Sequence, residues 1–249
     1  MHGWNSALAL SWMELKLFLR EPFAVFFSLA FPLILLLFVG SIGGQDHLPD
    51  GGRFIDAYMA TMAGVTAANV GLMGMSIHVA ESRSQGVLKR YRLSPMPNWA
   101  YFFAQYVTAI CVLGISILAL AVITLSIYGP PQRSNWAGFL VLSLVALYVM
   151  MSLGLLLGGL PLPVRSVQVV SAGVFFLIFF ASGSALPRES FPDWLRRLSD
   201  FNPLAILNEA LIKAYTAAPV PWLSVSTLLA LTVAVNLITL RLFDWEGNN

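Results

Sequence analysis

The chain has 249 residues, of which 58% are hydrophobic and only 10% are charged, and its mean hydropathy is +0.77. Soluble domains carry about 25% charged residues, so this composition excludes an ordinary water-soluble globular protein. The 14 Lys and Arg against 12 Asp and Glu leave a formal charge of +2, which is too small and too scattered for a nucleic-acid interface. Cys111 is the single cysteine, which excludes an intrachain disulfide and a cysteine metal cluster.

The first 21 residues predict an amphipathic helix. Large apolar residues recur there at intervals of three or four, which is the spacing of one helix face; they are Trp4, Leu8, Trp12, Leu15 and Leu19. Tryptophan prefers the depth of the lipid headgroups. We therefore expect a helix over 1–21 that lies in the membrane interface, the alternative being a frayed N-terminal extension.

Six later segments contain no Asp, Glu, Lys or Arg. Each is close to or above the length of about 20 residues that a membrane crossing requires. They are 22–40, 57–80, 101–128, 136–159, 166–186 and 222–240. The second and fifth are the least lipid-like and are expected to face protein. The sequence thus predicts a single all-α transmembrane domain over 1–249 with six spanning helices.

The distribution of cations predicts the orientation. The loop after the second segment carries four cations and no acid within ten residues, and cytoplasmic loops of membrane proteins are enriched in Lys and Arg; the cations are Arg83, Lys89, Arg90 and Arg92. Both termini are therefore expected in the cytoplasm, in a multi-pass protein of the inner (plasma) membrane.

The stretch 187–221, between the fifth and sixth segments, is too polar to span but retains an apolar pattern. Its large apolar residues are Phe191, Trp194, Leu195, Leu198, Phe201, Leu204, Leu207 and Leu211. Backbone at membrane depth must be sheltered by protein. We expect short re-entrant helices that dip into the outer leaflet.

Sequence motifs for catalysis are missing. The chain has no G-x-x-x-x-G-K-[ST] phosphate loop and no H-E-x-x-H zinc motif. His78 is compatible with a proton relay or with a packed interfacial histidine. Ser182, Gly183 and Ser184 are compatible with a serine nucleophile, which would need a histidine base, or with close helix packing. We expect a chain that is not an enzyme.

Two further patterns leave alternatives open. The pairs Gly154/Gly158 and Gly40/Gly44 have the G-x-x-x-G spacing, which serves packing within a bundle or dimerisation. Phenylalanines of the first and fifth segments either line a path for an amphipathic substrate or pack in the ordinary way. The candidates for such a path are Phe27, Phe31, Phe175 and Phe179.

The loop 81–97 has an unusual order of residues. An acid and an arginine precede a Gln-Gly turn, a basic stretch and Ser-Pro-x-Pro. A charged run beside a membrane is typical of an orientation signal or a contact for anionic lipid. The order here is also suited to docking into a groove of another protein.

This loop resembles one found in the permeases of type-2 ABC exporters, which commonly show E-R-x-x-G-[TV]-L-[KE]-x-[LY]-[RK]-x-[ST]-P-[ML] after their second span. The matching residues, with Arg83 displaced by one place, are Glu81, Arg83, Gly86, Val87, Leu88, Lys89, Arg92, Ser94, Pro95 and Met96. The stretch 179–187 and the following Pro192–Leu195, Asn202–Leu204 and Glu209–Leu211 are similar to the family's fifth span and re-entrant helices. The resemblance covers essentially the whole chain.

The resemblance implies that this chain is a half-transporter. Two six-span permeases, expected to be identical, would pair, and two cytosolic ABC ATPase subunits would bind beneath them. ATP and magnesium would bind to the ATPase, and this chain would hold no cofactor. The loop would be the coupling helix, with contacts from Glu81, Arg83, Gly86, Leu88, Lys89, Arg90 and Arg92. The cargo would be an amphipathic drug-, antibiotic- or lipid-like molecule moved outward between the first and fifth spans.

The alternative is a secondary transporter driven by an ion gradient. Such carriers usually hold a buried ionisable residue at membrane depth. The six apolar segments contain no acid to carry a proton or sodium ion.

Overall fold

A computed structural model describes residues 2–20, 22–44, 46, 52–85, 99–131, 134–186 and 188–242. Almost all of them lie in helices. The α-helices are α1 (His2–Arg20), α2 (Pro22–Val25), α3 (Phe31–Gly43), α4 (Phe54–Ala68), α5 (Met75–Ser84), α6 (Trp99–Tyr128), α7 (Trp136–Gly159), α8 (Val164–Ala181), α9 (Asp193–Asp200), α10 (Pro203–Tyr215) and α11 (Trp222–Leu242). Two π-helical segments, Phe26–Ala30 and Asn69–Gly74, join α2 to α3 and α4 to α5 without a break.

Five helices of the described chain are long and apolar enough to cross a membrane. They are span 1 (Phe26–Gly43), span 2 (Phe54–Ser84), span 3 (Phe102–Tyr128), span 4 (Trp136–Gly159) and span 5 (Val164–Ala181). Helix α11 has 21 residues, and its described apolar part, Trp222–Leu237, is shorter than a span. The described residues thus form an all-helical structure that is consistent with a membrane protein, whereas a sixth crossing stays a prediction.

Span 2 lies at the centre of the bundle. Of the residues in its most apolar stretch 83% are buried, against 22% in spans 1 and 5. Side-chain hydrogen bonds tie it to three neighbours: Ser28 to Asn69 (2.7 Å), Thr66 to Ser116 (3.0 Å) and Ser76 to Ser171 (2.6 Å). Such bonds stabilise helix contacts in a membrane by about 0.6 kcal/mol each on average. Their main effect is therefore to determine which helix faces pack together.

Close glycine contacts join span 2 to span 4. A Cβ atom on Gly154 would clash with the carbonyl oxygen of Gly71, and one on Gly158 would lie 2.6 Å from the carbonyl oxygen of Ser76. The Gly154/Gly158 pair therefore serves packing within this chain. Gly40 has the same role, because its Cβ would meet the Tyr128 hydroxyl at 2.6 Å.

Span 5 differs from the sequence expectation in two ways. Its helix ends at Ala181, before the predicted limit at 186, because Ser182 begins a turn in which Gly183 takes a φ of +84°, a conformation that favours glycine. Within one chain it also leaves most of its surface uncovered, with Val169, Leu177 and Phe180 exposed. The expectation that this span faces protein does not hold inside a single chain.

Helix α1 packs along span 3 and leaves part of its apolar stripe uncovered. Ser11 is buried, and Thr108 of span 3 bonds to its carbonyl oxygen at 3.4 Å. Leu15 and Phe18 contact the core, whereas Trp12 and Leu19 of the predicted apolar stripe are exposed. Leu15 of the stripe thus packs on the bundle with Ser11, while Trp12 and Leu19 are left uncovered, and the interfacial position of the helix stays a prediction.

The region after span 5 divides into two unlike helices. Helix α10 is packed into the bundle, where Tyr215 contacts the rings of Trp136 and Phe139 at centroid distances of 5.0 and 5.3 Å. Helix α9 lies outside, with Trp194 and Leu198 exposed. Re-entry of these helices into the outer leaflet stays a prediction.

Candidate functional site

The last turn of span 2 leads directly into the predicted coupling loop. Glu81 and Arg83 belong to α5, which ends at Ser84. The backbone oxygen of Glu81 accepts bonds from the Gln85 amide at 2.9 Å and the Ser84 hydroxyl at 2.9 Å. The predicted contacts Gly86, Leu88, Lys89, Arg90 and Arg92 lie outside the described residues.

Arg83 braces the end of span 2 against the turn between spans 4 and 5. Its Nη1 donates to the carbonyl oxygen of Gly159 at 3.0 Å and its Nη2 to that of Leu162 at 2.8 Å. A cation is stabilised at this position, because the last carbonyl groups of a helix lack hydrogen-bond partners within the helix and carry a partial negative charge. Arg83 therefore ties the end of span 2 to the turn between spans 4 and 5.

His78 lies one turn earlier on the same helix and joins three elements. Its Nε2 is 2.7 Å from Nε2 of Gln105 on span 3, 3.4 Å from the Ser82 hydroxyl and 3.8 Å from a carboxylate oxygen of Glu14 on α1. The histidine is thus a packed junction between α1, span 2 and span 3. Spacing within the sequence could not reveal it, since the partners come from distant segments.

The four predicted substrate-path phenylalanines form one chain of rings between spans 1 and 5. Ring centroids are 5.8 Å apart for Phe27 and Phe31, 5.9 Å for Phe31 and Phe179, and 6.1 Å for Phe179 and Phe175. Phe175 and Phe179 are buried, while Phe27 and Phe31 are half-buried. The structure brings the four together, with span 1 contributing the accessible rings.

A buried hydrogen bond joins the two π-helical segments, and sequence reasoning missed it. Ser28 lies in the π-helix of span 1 and Asn69 in that of span 2. Single π-helical turns within α-helices occur frequently at functional sites. The signal in the sequence was Asn69, the amide in the middle of an otherwise weakly polar segment.

The serines after span 5 have partners that serve packing. Their hydroxyls lie 2.6 Å apart, and Ser184 accepts a bond from the Asn208 amide at 2.9 Å. The side-chain partners that the described part of the chain gives these two hydroxyls are thus a hydroxyl and an amide. The arrangement favours helix packing over an activated nucleophile, which needs a base within hydrogen-bond reach.

A buried acid lies at the other end of span 2. Asp56, one residue before the predicted segment, forms a two-pronged ion pair with Arg53 at 2.8 and 2.9 Å. Arg53 also donates to the carbonyl oxygens of Tyr128 and Gly129, at 2.7 and 3.2 Å, where span 3 ends. The hydrogen bond to Asp56 raises the pKa of Arg53, against the opposing effect of burial. The acid is therefore committed to a structural ion pair.

Comparisons with known proteins agree with this architecture. The family model described as ABC-2 type transporter matches residues 5–216. The chain is 26% identical over 197 residues to YvfS of Bacillus subtilis (strain 168), which is named a transport permease; the match covers 76% of this chain and 77% of that protein.

A second similar protein is YbhR of Escherichia coli (strain K12), which is named a multidrug ABC transporter permease. The identity is 26% over 174 residues, covering 68% of this chain and 46% of YbhR. The chain thus spans less than half the length of YbhR. The family match, which extends over most of the sequence from α1 to the end of α10, identifies the chain as a multi-pass membrane permease of the ABC-2 type transporter family.

Proposed function

We propose that this chain is the transmembrane subunit of an ATP-driven exporter that moves an amphipathic drug-, antibiotic- or lipid-like molecule outward. Two identical copies would pair, and two cytosolic ABC ATPase subunits would dock on the loops 81–97. The ATPase would hold ATP and magnesium. Both termini and the docking loops would face the cytoplasm of a cell whose plasma membrane carries the complex.

The observation that carries the proposal is the brace made by Arg83. It connects the residues just before the docking loop to the turn at Gly159 and Leu162. Above it, span 2 bonds to spans 1, 3 and 5 and packs tightly on span 4. A displacement of the loop therefore has a rigid route into every neighbouring span, as a packed two-state assembly requires.

The cargo path would lie along the aromatic chain between spans 1 and 5. These spans are the least covered in a single chain, and Phe27 and Phe31 present part of their rings. Separation of Phe31 from Phe179 would open the buried rings to an apolar cargo. Transport further requires that the two states differ in their affinity for the cargo.

The decisive experiment is purification of the chain from its own membranes in mild detergent, followed by mass spectrometry. The proposal predicts a P-loop ATPase in equal amount, and its loss when residues 86–92 are scrambled. A scramble of residues 243–249, a segment of the same length that shares no residue with the loop, is the control. Purification without an ATPase, from a preparation that retains other membrane complexes, would contradict the proposal.

One observation keeps the gradient-driven carrier as a second candidate. His78 and Glu14, two titratable side chains, lie 3.8 Å apart at the junction of α1 and span 2. Reconstituted vesicles distinguish the two: the exporter needs ATP and ATPase and works without a pH gradient, whereas the carrier works on the gradient alone and fails when His78 is replaced by Gln.

A further inference from the structure

A small polar pocket lies among the helices that follow span 5. It has a volume of about 230 Å³ and is lined by Arg188, Ser199, Asp200, Ala205, Ile206, Glu209 and Ser224. Pockets for drug-sized ligands measure about 300–1,000 Å³, so this one fits a smaller group. It is separate from the Phe27–Phe175 ring chain, and none of its lining residues belongs to the predicted cargo path.

Two residues that line this pocket each carry a hydrogen-bond donor with no partner in the described part of the chain. The Ser199 hydroxyl belongs to a fully buried residue, and the Nε of Arg188 is also buried; neither forms a hydrogen bond within the described structure. Buried polar groups are nearly always paired, so an unpaired one calls for an explanation such as a missing ligand. Because both residues line the pocket, an oxygen acceptor bound there is a candidate partner for the two donors.

Arg188 is positioned for this task by the turn after span 5. Gly183, at a φ of +84°, lets the arginine side chain approach so closely that a Cβ there would lie 2.5 Å from its Cγ. Nη2 of Arg188 donates to Asp200 at 2.5 Å. This pairing uses one nitrogen, whereas Arg53 uses both Nε and Nη2 on Asp56. The Nε of Arg188 is thus left without a hydrogen bond in the described structure.

The other charged groups of the pocket are acidic. Asp200 and Glu209 both line it and both are exposed. Glu209 also pairs with Lys213 at 2.6 Å, so its carboxylate is held in place by the next turn of α10. A ligand that matches the whole pocket carries an oxyanion for Arg188 and Ser199 and, a short distance away, an ammonium group for the carboxylates.

The helices that carry the pocket also present large exposed apolar side chains. Three lining residues have a large exposed hydrophobic neighbour in the chain: Ser199 has Leu198, Asp200 has Phe201 (84% exposed) and Ser224 has Leu223 (82% exposed). Trp194 and Trp222, on the helices that carry Ser199 and Ser224, are exposed too, and tryptophan is typical of headgroup depth. A polar pocket on helices with such exposed apolar side chains suits a molecule with a charged head and an apolar tail.

We propose that this pocket binds a phosphoethanolamine zwitterion, its phosphate accepting from Arg188 and Ser199 and its ammonium donating to Asp200 and Glu209. Two sources carry this group, a phosphatidylethanolamine lipid and a soluble phosphoethanolamine ester. The exposed apolar side chains on the helices that carry the pocket favour the lipid. The inference does not rest on the proposed exporter function, because it concerns the pocket alone.

The test is native mass spectrometry of the purified full-length chain, first stripped of lipid, with four probes. Short-chain phosphatidylethanolamine is compared with phosphatidylcholine and phosphatidylglycerol of the same chain length and with soluble glycerophosphoethanolamine. We expect the ethanolamine lipid to bind at least about fivefold more tightly than the choline lipid, which has no N–H to donate, at about one hydrogen bond's worth of free energy. Binding of the soluble ester equal to that of the lipid would support the site and assign it to a free zwitterion.

The variant that isolates the site is Ser199→Ala, which removes an unpaired hydroxyl and so leaves the fold intact. It should weaken phosphatidylethanolamine binding about fivefold, and Arg188→Lys, which lacks the Nε donor, should do the same. Arg197→Gln, an exposed cation of α9 that does not line the pocket, is the matched control and should bind as the parent does. Equal binding of all three lipids, or unchanged binding in Ser199→Ala and Arg188→Lys, would overturn the proposal in favour of a pocket that holds water.

Discussion

Ser28 donates a 2.7 Å hydrogen bond to the side-chain oxygen of Asn69, and each residue lies in a π-helical turn of its span. The bond joins span 1, which carries Phe27 and Phe31, to the central span that leads into the docking loop. Both residues are buried. The link therefore connects the two regions on which the proposed transport depends.

Replacement of Ser28 by Ala should lower stability by about 0.5–2 kcal/mol, because the Asn69 oxygen loses its donor in a buried site. We expect a lower melting temperature of the purified subunit and slower cargo transport. Ser41→Ala is the control: this span 1 serine is exposed and bonds only to the Phe38 carbonyl oxygen in the described structure. Equal melting temperatures for the two variants would show that the link between the π-helical turns contributes nothing.

Replacement of Gly154 by Ala should prevent tight packing of span 4 on span 2. The added Cβ would clash with the Gly71 carbonyl and lie 2.8 Å from that of Leu72, and backbone atoms cannot swing aside. Overpacking of this kind costs about 1–3 kcal/mol or more. The yield of monodisperse protein in size-exclusion chromatography should fall, whereas Gly114→Ala, with open space around its Cβ, should match the parent.

Replacement of Arg83 by Gln should weaken the fold as well as the docking loop. Two charge-assisted bonds to Gly159 and Leu162 are lost, at about 1–2 kcal/mol after allowance for partial exposure. We expect a lower melting temperature together with loss of ATP-driven transport. Arg165→Gln, an exposed cation near the same turn, should leave both unchanged.

Replacement of Gly86 by Val tests the docking of the ATPase separately from the stability of the subunit. If Gly86 serves the contact with the ATPase, Gly86→Val should reduce the amount of co-purified ATPase while the melting temperature of the subunit stays that of the parent.

An Arg83→Gln effect confined to ATPase recovery, with no change of melting temperature, would contradict the role of Arg83 as a brace.

Replacement of Phe31 by Ala should alter transport of apolar cargo through the contact with Phe179. The ring sits half-buried at the meeting of spans 1 and 5, 5.9 Å from Phe179. We expect a change of several-fold in the apparent KM for cargo, measured as cargo-stimulated ATPase activity, with a smaller change in the basal rate. Phe38→Ala, exposed on the same span, is the control, and an equal effect of both substitutions would exclude a specific role for the ring chain.

The sequence by itself determined the class of protein. Charge-free segments of span length establish a helical membrane protein, because an uncompensated charge is costly in hydrocarbon. The loop at Glu81 and the motifs after span 5 indicated the family that the comparisons confirm. Each of these signals lies within a continuous stretch of sequence, so it can be recognised without knowledge of the fold.

The tertiary structure decided which faces meet. Helical periodicity indicated the apolar stripe that contains Trp12 and Leu19, but it could not show that Ser11 is buried, since contact with Thr108 depends on a partner helix about a hundred residues away. The contact partners of Gly154, Arg83 and Ser28 could not be predicted either, because the spacing of residues within one helix does not indicate which other helix packs against it. In a membrane, where lipid is as apolar as the side chains, helix contacts depend on such small and polar residues, and only the assembled bundle identifies them.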